Sequence, residues 1–380
     1  MRVLLFANTE WYLYNFRRSL ASALRDAGHD VLLVSPPGPY GERLRALGFR
    51  WDPAPMQRRS VNPVRELALI AWLRRFIARE RVDLVHGFTI KCAVYGSLAA
   101  RWAGVPRRVN AVAGMGYVFT SGDLLARALR PVVRTLLRVA LEGPDARLIL
   151  QNPDDAALFR QARLVDESRV RLIPGSGVDC RRFTPVEPAV PAEGDGARFR
   201  VLLAARLLWD KGIAEYVEAA RRLRSEGHAV DFLLAGDPDP GNPAAVPEAA
   251  VRQWSAEGIV TWLGHVDDMP SLLRSVQVVV LPSYREGLPK GLIEAAACGL
   301  PLVTTDVPGC REVVTDGVDG LLVPVKDANA LAAAILRLQR DADLRQRLGA
   351  AARVKAEQEF DERIVVGRTL AVYRELSPLV

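Results

Sequence analysis

The chain has 380 residues, of which 49% are hydrophobic and 25% charged; this excludes a disordered or fibrous protein and leaves room for two domains. The net charge of +7 is uneven, since residues 1–180 carry 27 Lys and Arg against 16 Asp and Glu, whereas residues 181–380 carry 24 against 28. A basic first half suits nucleic acid, an anionic membrane surface or a phosphorylated substrate, and equally reflects the arginine bias of a GC-rich genome.

The first apolar segment, Val3–Ala7, is too short for a signal peptide and predicts a strand. Further strands are predicted at Val31–Val34, Leu84–His86, Arg108–Val112 and Leu148–Gln151, with helices at Phe16–Ala27, Arg65–Arg79 and Val94–Ala103. This alternation predicts a parallel sheet with crossover helices in a first domain, residues 1–183. No apolar run is long enough to span a bilayer, and scattered cysteines indicate a reduced compartment, so we expect a cytoplasmic protein.

Residues 184–199 are rich in Pro, Ala, Gly and acidic residues and lack periodicity, which indicates a linker. The alternation then restarts in a second domain, residues 200–360. Its predicted strands are Arg200–Ala204, Val230–Ala235, Val260–Leu263, Val276–Leu281, Leu302–Thr304 and Gly320–Val323, and its predicted helices are Ile213–Ser225, Glu248–Glu257 and one that begins at Pro289. A last helix, Asp361–Leu376 within residues 361–380, has no strand after it and could pack on either domain, including back on the first.

This order of elements predicts an α/β protein with two Rossmann-like, doubly wound parallel-sheet domains. Open sheets of this kind bind ligands outside the carboxyl ends of their strands. We therefore expect the site in an interdomain cleft that both sheets face.

The segment after strand Val276–Leu281 has the features of a phosphate site. A turn containing Gly287 leads to Pro289, a residue that favours the first position of a helix. The helix presents unpaired backbone amides at its start, and Gly287 and Gly291 permit close backbone approach. The two carboxylates of this segment, Glu286 and Glu294, could accept hydrogen bonds from ribose and sugar hydroxyls, or could merely favour the helix start through its dipole.

A second loop favours the binding interpretation. Arg206 and Lys211 lie between the first strand and the first helix of the second domain, at a predicted carboxyl edge of the same sheet. Two cations in this position can neutralise a diphosphate leaving group.

These residues resemble the motifs of a retaining glycosyltransferase of family 4, which has the two-domain GT-B fold. Glu286-x7-Glu294 is similar to the paired-glutamate motif of that family, and Arg206 and Lys211 are similar to its basic pair. Pro282-Ser283 with Glu286-Gly287 resembles its sugar-nucleotide loop. The resemblance covers almost the whole chain.

The resemblance implies a nucleotide diphosphate sugar, with UDP preferred, as co-substrate, and no metal or other cofactor. It implies that Glu294 holds the ribose and Glu286 the donor sugar. The diphosphate would be held by Arg206, Lys211 and the backbone at Gly287, Leu288, Lys290 and Gly291, and the base would be lined by Gly264-His265-Val266. It also implies retention at the anomeric carbon, with the departing phosphate taking the proton of the acceptor.

In the first domain, Asp83–Lys91 resembles the strand-end histidine motif of the family, which is often His-x-His. Here His86 is kept and Phe88 stands at the second position. We expect a continuing strand to turn His86 away from the place of the missing histidine. Lys91 is a candidate phosphate contact that compensates for the change.

The first loop, Asn8–Arg17, replaces the Gly-rich turn common in the family. Its aromatic residues could stack on a sugar or a lipid-linked acceptor, with Asn15 and Arg17 reaching a diphosphate, or could pack on the loop that contains Gly114 and Tyr117. That second loop is itself a candidate floor of the acceptor site. These segments most resemble a subgroup that makes capsule, O-antigen and related glycans, whose acceptors are commonly polyprenyl-diphosphate sugars.

The segment Leu124–Leu141 carries arginines at positions 127, 130, 134 and 138, and therefore one basic stripe if helical. Such a helix could rest on an anionic membrane surface or simply be solvated. Pro131 is expected to kink it.

Three other interpretations are less well supported by the sequence. Asp237-Pro238-Asp239 resembles the metal motif of the other glycosyltransferase fold but has no further carboxylate cluster to complete a site. A dehydrogenase would require a G-x-G-x-x-G after its first strand, which is missing. A non-catalytic sugar-nucleotide or nucleic-acid binder would suit the basic charge, but no recognised nucleic-acid motif is present.

Overall fold

The computed structural model describes residues 1–58, 60, 62–112, 124–185 and 198–377. The chain forms two compact units, one of Met1–Ser176 with Arg363–Val380 and one of Gly177–Glu362. The boundary differs from the predicted one at residue 183, because Val178, Cys180 and Phe183 are buried in the core of the second unit. Residues 186–197, most of the predicted linker, lie outside the described residues.

The first unit has a seven-stranded parallel sheet in the order β3-β2-β1-β4-β5-β6-β7. Its strands are β1 Arg2–Phe6, β2 Asp30–Ser35, β3 Arg50–Pro53, β4 Leu84–Phe88, β5 Arg107–Val112, β6 Ala146–Leu150 and β7 Val170–Leu172. The five predicted strands are all present, with ends shifted by at most two residues. The sequence did not indicate β3 and β7, because these edge strands are short and mostly not buried.

The α-helices of the first unit are Glu10–Tyr12, Arg18–Asp26, Tyr40–Ala46, Pro63–Arg79, Thr89–Trp102, Leu124–Leu141, Pro153–Gln161 and Glu362–Leu376, with a 3₁₀ turn at Glu167–Arg169. The predicted helix Phe16–Ala27 is wrong at its start. Thr9 caps an earlier helical turn by accepting a hydrogen bond from the Tyr12 amide at 3.1 Å, and a π-helical turn, Leu13–Arg17, then precedes Arg18–Asp26. This extra turn changes where Arg17 points relative to a continuous α-helix.

The last helix, Glu362–Leu376, packs on the first unit. Val372 and Tyr373 are buried among residues of β1 and β4. Glu375 accepts hydrogen bonds from Arg171 at 2.7 and 2.6 Å, which holds the outer part of the helix near β7.

β4 corrects one expectation. It continues to Phe88, and the rings of His86 and Phe88 are 4.1 Å apart between centroids. The expectation that His86 turns away is therefore wrong, because residues two apart on a strand share a face. Gly87, between them, could not be larger, since a Cβ there would lie 2.7 Å from the Cys92 carbonyl oxygen of the helix that follows.

The second unit has a six-stranded parallel sheet in the order β10-β9-β8-β11-β12-β13. Its strands are β8 Phe199–Ala204, β9 Val230–Ala235, β10 Thr261–Gly264, β11 Val278–Leu281, β12 Leu302–Thr305 and β13 Leu321–Val323. Its α-helices are Ile213–Ser225, Glu248–Ala256, Met269–Arg274, Lys290–Ala297, Cys310–Val313, Ala328–Arg340 and Ala342–Lys355, with a 3₁₀ turn at Trp209–Lys211 and a π-helical turn at Ala356–Phe360. The sequence prediction omitted Met269–Arg274, Cys310–Val313, Ala328–Arg340 and Ala342–Lys355.

In each unit the strand order reverses at the middle of the sheet, between β1 and β4 and between β8 and β11. Loops that leave neighbouring strands in opposite directions open a crevice at such a point, where doubly wound sheets bind ligands. The loops that follow these four strands carry most of the predicted site residues.

The helix Leu124–Leu141 continues through Pro131. Arg134 and Arg138 of the predicted stripe donate to the carbonyl oxygen of Ala162 at 3.2 and 3.1 Å, so both contact protein. In the part of the chain that the structure describes, no helix is both long and apolar enough to cross a membrane.

Candidate functional site

In the second unit, the loops after β8 and β11 are fixed to each other. Gly212 has φ of +72°, and a side chain there would collide with the Pro282 carbonyl oxygen. The Tyr284 amide donates to the Asp210 carbonyl oxygen at 2.9 Å. Only glycine combines this left-handed conformation with such close contact, so position 212 determines how near Lys211 comes to the β11 loop.

Lys211 and Glu286 form an ion pair at the centre of these loops. The Lys211 ammonium donates to Glu286 Oε1 at 2.6 Å, and the side chains are only 15% and 12% exposed. The buried Ser283 hydroxyl donates to the same oxygen at 2.7 Å. Because an ammonium has three N–H donors and a carboxylate has four acceptor positions, this pair keeps hydrogen-bonding capacity for a ligand.

The loop after β12 supports Glu286 from another side. The Glu286 amide donates to the Pro308 carbonyl oxygen at 3.1 Å, and a Cβ at Gly309 would lie 2.6 Å from the Glu286 carbonyl oxygen. Thr305 Oγ1 donates to the Ser283 carbonyl oxygen. The side chain and backbone of Glu286 are therefore held together by three loops at one edge of the sheet, which favours a fixed geometry.

The helix Lys290–Ala297 begins beside this ion pair. Pro289 precedes it without a side-chain cap, and the first intrahelical hydrogen bonds come from the amides of Leu292 and Ile293. The first-turn amides lie at the positive end of the helix dipole. A Cβ at Gly291 would lie 3.3 Å from the Ala204 carbonyl oxygen, so the start of this helix touches the end of β8.

Glu294 lies one turn further along the helix. Burial raises the pKa of its carboxyl, and the charges of Lys290 and Arg182 oppose this effect. Lys290 Nζ is 4.0 Å from Glu294 Oε1. Arg182 had no signal in the sequence, because it lies outside both motifs and more than 100 residues from Glu294.

Arg206 lies on the same loop as Lys211 but is more open. Its guanidinium donates to Asp239 at 3.0 Å, with the two side chains 53% and 16% exposed. This contact gives Asp239 a role as the partner of Arg206. In the described residues, no three His, Cys, Asp or Glu side chains are grouped so that they could hold a metal ion.

The predicted base-lining residues follow β10. His265 is half-exposed and lies between two carboxylates, 4.0 Å from Asp237 and 3.4 Å from Asp267. Val266 is partly buried against the core of the second unit. Both residues lie on the loop after the outermost strand on the β8 side of the sheet.

In the first unit, the π-helical turn places Arg17 inside the protein. The side chain is 6% exposed, its guanidinium lies 4.5 Å from the centre of the Phe88 ring, and Nη2 donates to the Tyr12 hydroxyl at 2.7 Å. Its buried Nε has no hydrogen-bond partner among the described residues. Arg17 is thus a desolvated cation supported by aromatic rings.

His86 contacts the same Phe88 ring and is 1% exposed. Its Nδ1 is 2.5 Å from the hydroxyl of Tyr373, which the last helix supplies. Burial, reinforced by the charge of Arg17, lowers the pKa of His86 well below its ordinary value, so the imidazole is neutral at physiological pH. No sequence motif connects these two residues, which are 287 positions apart.

Two of the other predicted acceptor residues, Lys91 and Asn15, are described, and both contact protein groups. Lys91 donates to the carbonyl oxygens of Gln57 and Ser60, both at 2.9 Å, and pairs with Glu66 at 2.9 Å. These contacts tie Lys91 to the loop that contains Gln57 and Ser60. A phosphate role for Lys91 stays a prediction, and it would require these contacts to break. Asn15 donates to the Trp11 carbonyl oxygen at 3.0 Å. The predicted residues Gly114 and Tyr117 lie outside the described residues.

Comparison with known proteins gives matches over both units. A family described as "Glycosyl transferase 4-like domain" matches residues 15–176, and one described as "Glycosyl transferases group 1" matches residues 198–341.

Two curated relatives and one crystal structure are among the similar proteins. The chain is 30% identical to the N,N'-diacetylbacillosaminyl-diphospho-undecaprenol alpha-1,3-N-acetylgalactosaminyltransferase of Campylobacter jejuni, over 98% of each chain. It is 26% identical to the UDP-Gal:alpha-D-GlcNAc-diphosphoundecaprenol alpha-1,3-galactosyltransferase of Escherichia coli, over 74% of this chain and 73% of the relative. The HepE protein of Anabaena, crystallised with UDP, superposes with a TM-score of 0.78 at 21% identity, over 99% of this chain and all of that one.

The identity to the Campylobacter protein extends over nearly all of both chains. The two Rossmann-like units agree with the fold of the Anabaena structure. The chain therefore belongs to glycosyltransferase family 4 and is a glycosyltransferase with the GT-B fold.

Proposed function

We propose that this glycosyltransferase transfers a hexose or N-acetylhexosamine, with retention, from a nucleotide diphosphate sugar to a polyprenyl-diphosphate-linked glycan. The donor nucleotide we propose is UDP, and the product is a bacterial surface polysaccharide or glycoconjugate. The observation that carries the donor half is the Lys211–Glu286 ion pair, held by Ser283 beside the uncapped start of the helix Lys290–Ala297. Cation, carboxylate and helix amides at one edge suit a sugar diphosphate better than any uncharged ligand.

Each group of this edge has a role in the proposal. Lys211 and the first-turn amides of the helix contact the diphosphate, and Arg206 extends the positive charge. Glu286 accepts hydrogen bonds from hydroxyls of the donor sugar. Glu294, whose pKa is raised by burial, accepts them from the ribose.

In the proposed reaction, the bond between the anomeric carbon and the β-phosphate oxygen breaks, and its electron pair leaves with the nucleoside diphosphate. The acceptor hydroxyl oxygen forms the new bond on the same face, and its proton passes to the departing phosphate oxygen. Negative charge develops on the leaving group, where Lys211 and the helix amides stabilise it. Because these groups provide the positive charge, we propose that no metal ion is required; undiminished transfer in EDTA would agree, and loss restored by a divalent ion would not.

The acceptor half of the proposal is supported by the two relatives, whose names each include a diphospho-undecaprenol acceptor. In this chain the first unit offers Arg17, a buried cation that lies over the partly exposed Tyr12 ring, and Trp11, which is exposed on the same short helix as Tyr12. A cation beside aromatic rings suits a sugar joined to a diphosphate. We also propose that the first unit contacts an anionic membrane surface, where such an acceptor resides.

The test uses the purified full-length chain with a panel of nucleotide sugars and a short-chain polyprenyl-diphosphate glycan. We expect transfer from one UDP-sugar, and an NMR coupling constant for the new linkage that shows the anomeric configuration of the donor. An inverted product would overturn the mechanism. Transfer to a free sugar but not to its diphosphate-linked form would overturn the acceptor assignment.

A further inference from the structure

The hydrogen bond between His86 and Tyr373 settles which imidazole nitrogen carries the proton. The Tyr373 hydroxyl is fully buried, and in the described residues its one hydrogen-bond partner is His86 Nδ1 at 2.5 Å. If Nδ1 carried the proton and donated it, the hydroxyl proton of Tyr373 would be buried without an acceptor. Donation from Tyr373 to Nδ1 satisfies both the hydroxyl proton and the Nδ1 lone pair.

The proton of the neutral imidazole then resides on Nε2. Burial raises the pKa of Tyr373, so its hydroxyl stays protonated and continues to donate. Burial and the nearby Arg17 cation keep His86 neutral. Nδ1 accepts the hydrogen bond from Tyr373 and therefore cannot act as a base. The Nε2–H group is the donor that His86 has left for a ligand.

That donor is buried and has no partner among the described residues. Arg17 Nε is a second buried donor in the same condition. Both side chains contact the ring of Phe88, at 4.1 Å for His86 and 4.5 Å for Arg17 between ring or guanidinium centres. Two unsatisfied donors around one ring, at the carboxyl end of β4, call for an oxygen-rich ligand.

We propose that Tyr373 is a positioning residue that holds His86 in the Nε2–H tautomer, so that His86 donates a hydrogen bond to a sugar or phosphate oxygen of the substrate. The last helix thereby takes part in the site of the first unit, although its sequence carries no catalytic motif. The ligand half of this inference rests on the proposed function. The tautomer half does not.

The tautomer is tested in the full-length wild-type protein, without substrate. The chain has four histidines, so ¹⁵N-labelled histidine gives few signals in long-range ¹H–¹⁵N spectra. The histidine signal that His86→Gln removes should show an unprotonated Nδ1 and a protonated Nε2. A protonated Nδ1 in that signal would overturn the inference, whatever the enzyme transfers.

The positioning role is tested by a double-mutant cycle. Tyr373→Phe should lower kcat/KM about tenfold in the wild-type background, because Nδ1 loses its donor and the tautomer is no longer fixed. In a His86→Gln background the same change should have little effect, since the glutamine amide presents its donor without a tautomer to choose.

His86→Gln itself should retain more activity than His86→Asn, because its amide nitrogen takes the position of Nε2. Equal losses from Tyr373→Phe in both backgrounds would show a structural role only and would overturn the inference. If Tyr373→Phe does not fold, the wild-type spectrum still decides the tautomer. Loss of all transfer with the expected tautomer intact would point to failure of the proposed function and not of the positioning role.

Discussion

The two sheets place a cation at the same topological position but provide for it in opposite ways. At the β8/β11 edge, Lys211 is matched by Glu286, which is itself held by hydrogen bonds to Ser283 and to the Pro308 carbonyl oxygen. At the β1/β4 edge, Arg17 is stacked on Phe88 and Tyr12, and no carboxylate among the described residues forms an ion pair with it. The ion pair with Glu286 fixes the position of the Lys211 charge. The positive charge of Arg17 is stacked on aromatic rings instead, and an anionic ligand can neutralise it.

The largest expected effect concerns the matched pair. Lys211→Ala should reduce turnover at least a hundredfold, since removing a donor from a developing anion costs about 2.7–4 kcal/mol of barrier. Lys355→Ala is the matched control, because Lys355 is ion-paired to Asp319 at 3.2 Å in the same unit and is similarly buried. Steady-state rates at saturating donor and acceptor give the result. A loss below tenfold, or one equal to the control, would place the diphosphate elsewhere.

The stacked cation should respond differently. Arg17→Lys keeps the charge but loses the planar group that stacks on Phe88, so kcat/KM for the acceptor should fall about tenfold while donor affinity is unchanged. Arg18→Lys is the control. Arg18 is the next residue in the chain, and its guanidinium lies 5.2 Å from the centre of the Tyr14 ring. Separate titrations of donor and acceptor distinguish the two substrates. Weaker donor binding in Arg17→Lys would reverse the assignment of the two edges.

The site residues at the β8/β11 edge could be predicted from the sequence because they are close together in it. Arg206, Lys211, Glu286 and Glu294 occupy two short segments directly after strands, and periodicity and helix-start signals located both. Parallel pairing of β8 with β11 then brings the segments together. Nothing beyond local sequence and sheet order was needed to expect one site there.

The β1/β4 edge depends on contacts that local sequence does not encode. Tyr373 reaches His86 from the last helix, and Lys91 pairs with Glu66, 25 residues away. The π-helical turn that buries Arg17 has no sequence signature of its own. Packing decided all three, and packing was visible only in three dimensions.

Lowering the pH should reduce the stability of the first unit. His86 is neutral when folded because its pKa is lowered, but it takes up a proton near its ordinary pKa when unfolded. As the pH falls below about 6.5, the unfolded state binds the extra proton and stability declines, by up to about 1.4 kcal/mol per pH unit. Region-resolved hydrogen exchange at about pH 7 and about pH 5 should show this loss in the first unit.

The matched variants identify the source of that decline. His86→Gln should remove most of it from the first unit, where His29 is the other histidine whose pKa is lowered, and His228→Gln, a substitution in the second unit, should not. A decline that persists in His86→Gln would mean that another group takes up the proton.

The smallest expected effect concerns the uneven charge itself, since the basic half of the sequence coincides with the unit proposed to hold the lipid-linked acceptor. Arg127 is exposed on the helix Leu124–Leu141, whereas Arg134 and Arg138 are occupied by the Ala162 carbonyl oxygen. Arg127→Ser should therefore weaken co-sedimentation with anionic vesicles by about 1 kcal/mol, or roughly fivefold. Arg340→Ser, an exposed arginine of the second unit, should have no effect. Equal losses from the two variants would mean that net charge, and not the first unit, brings the protein to the lipid surface.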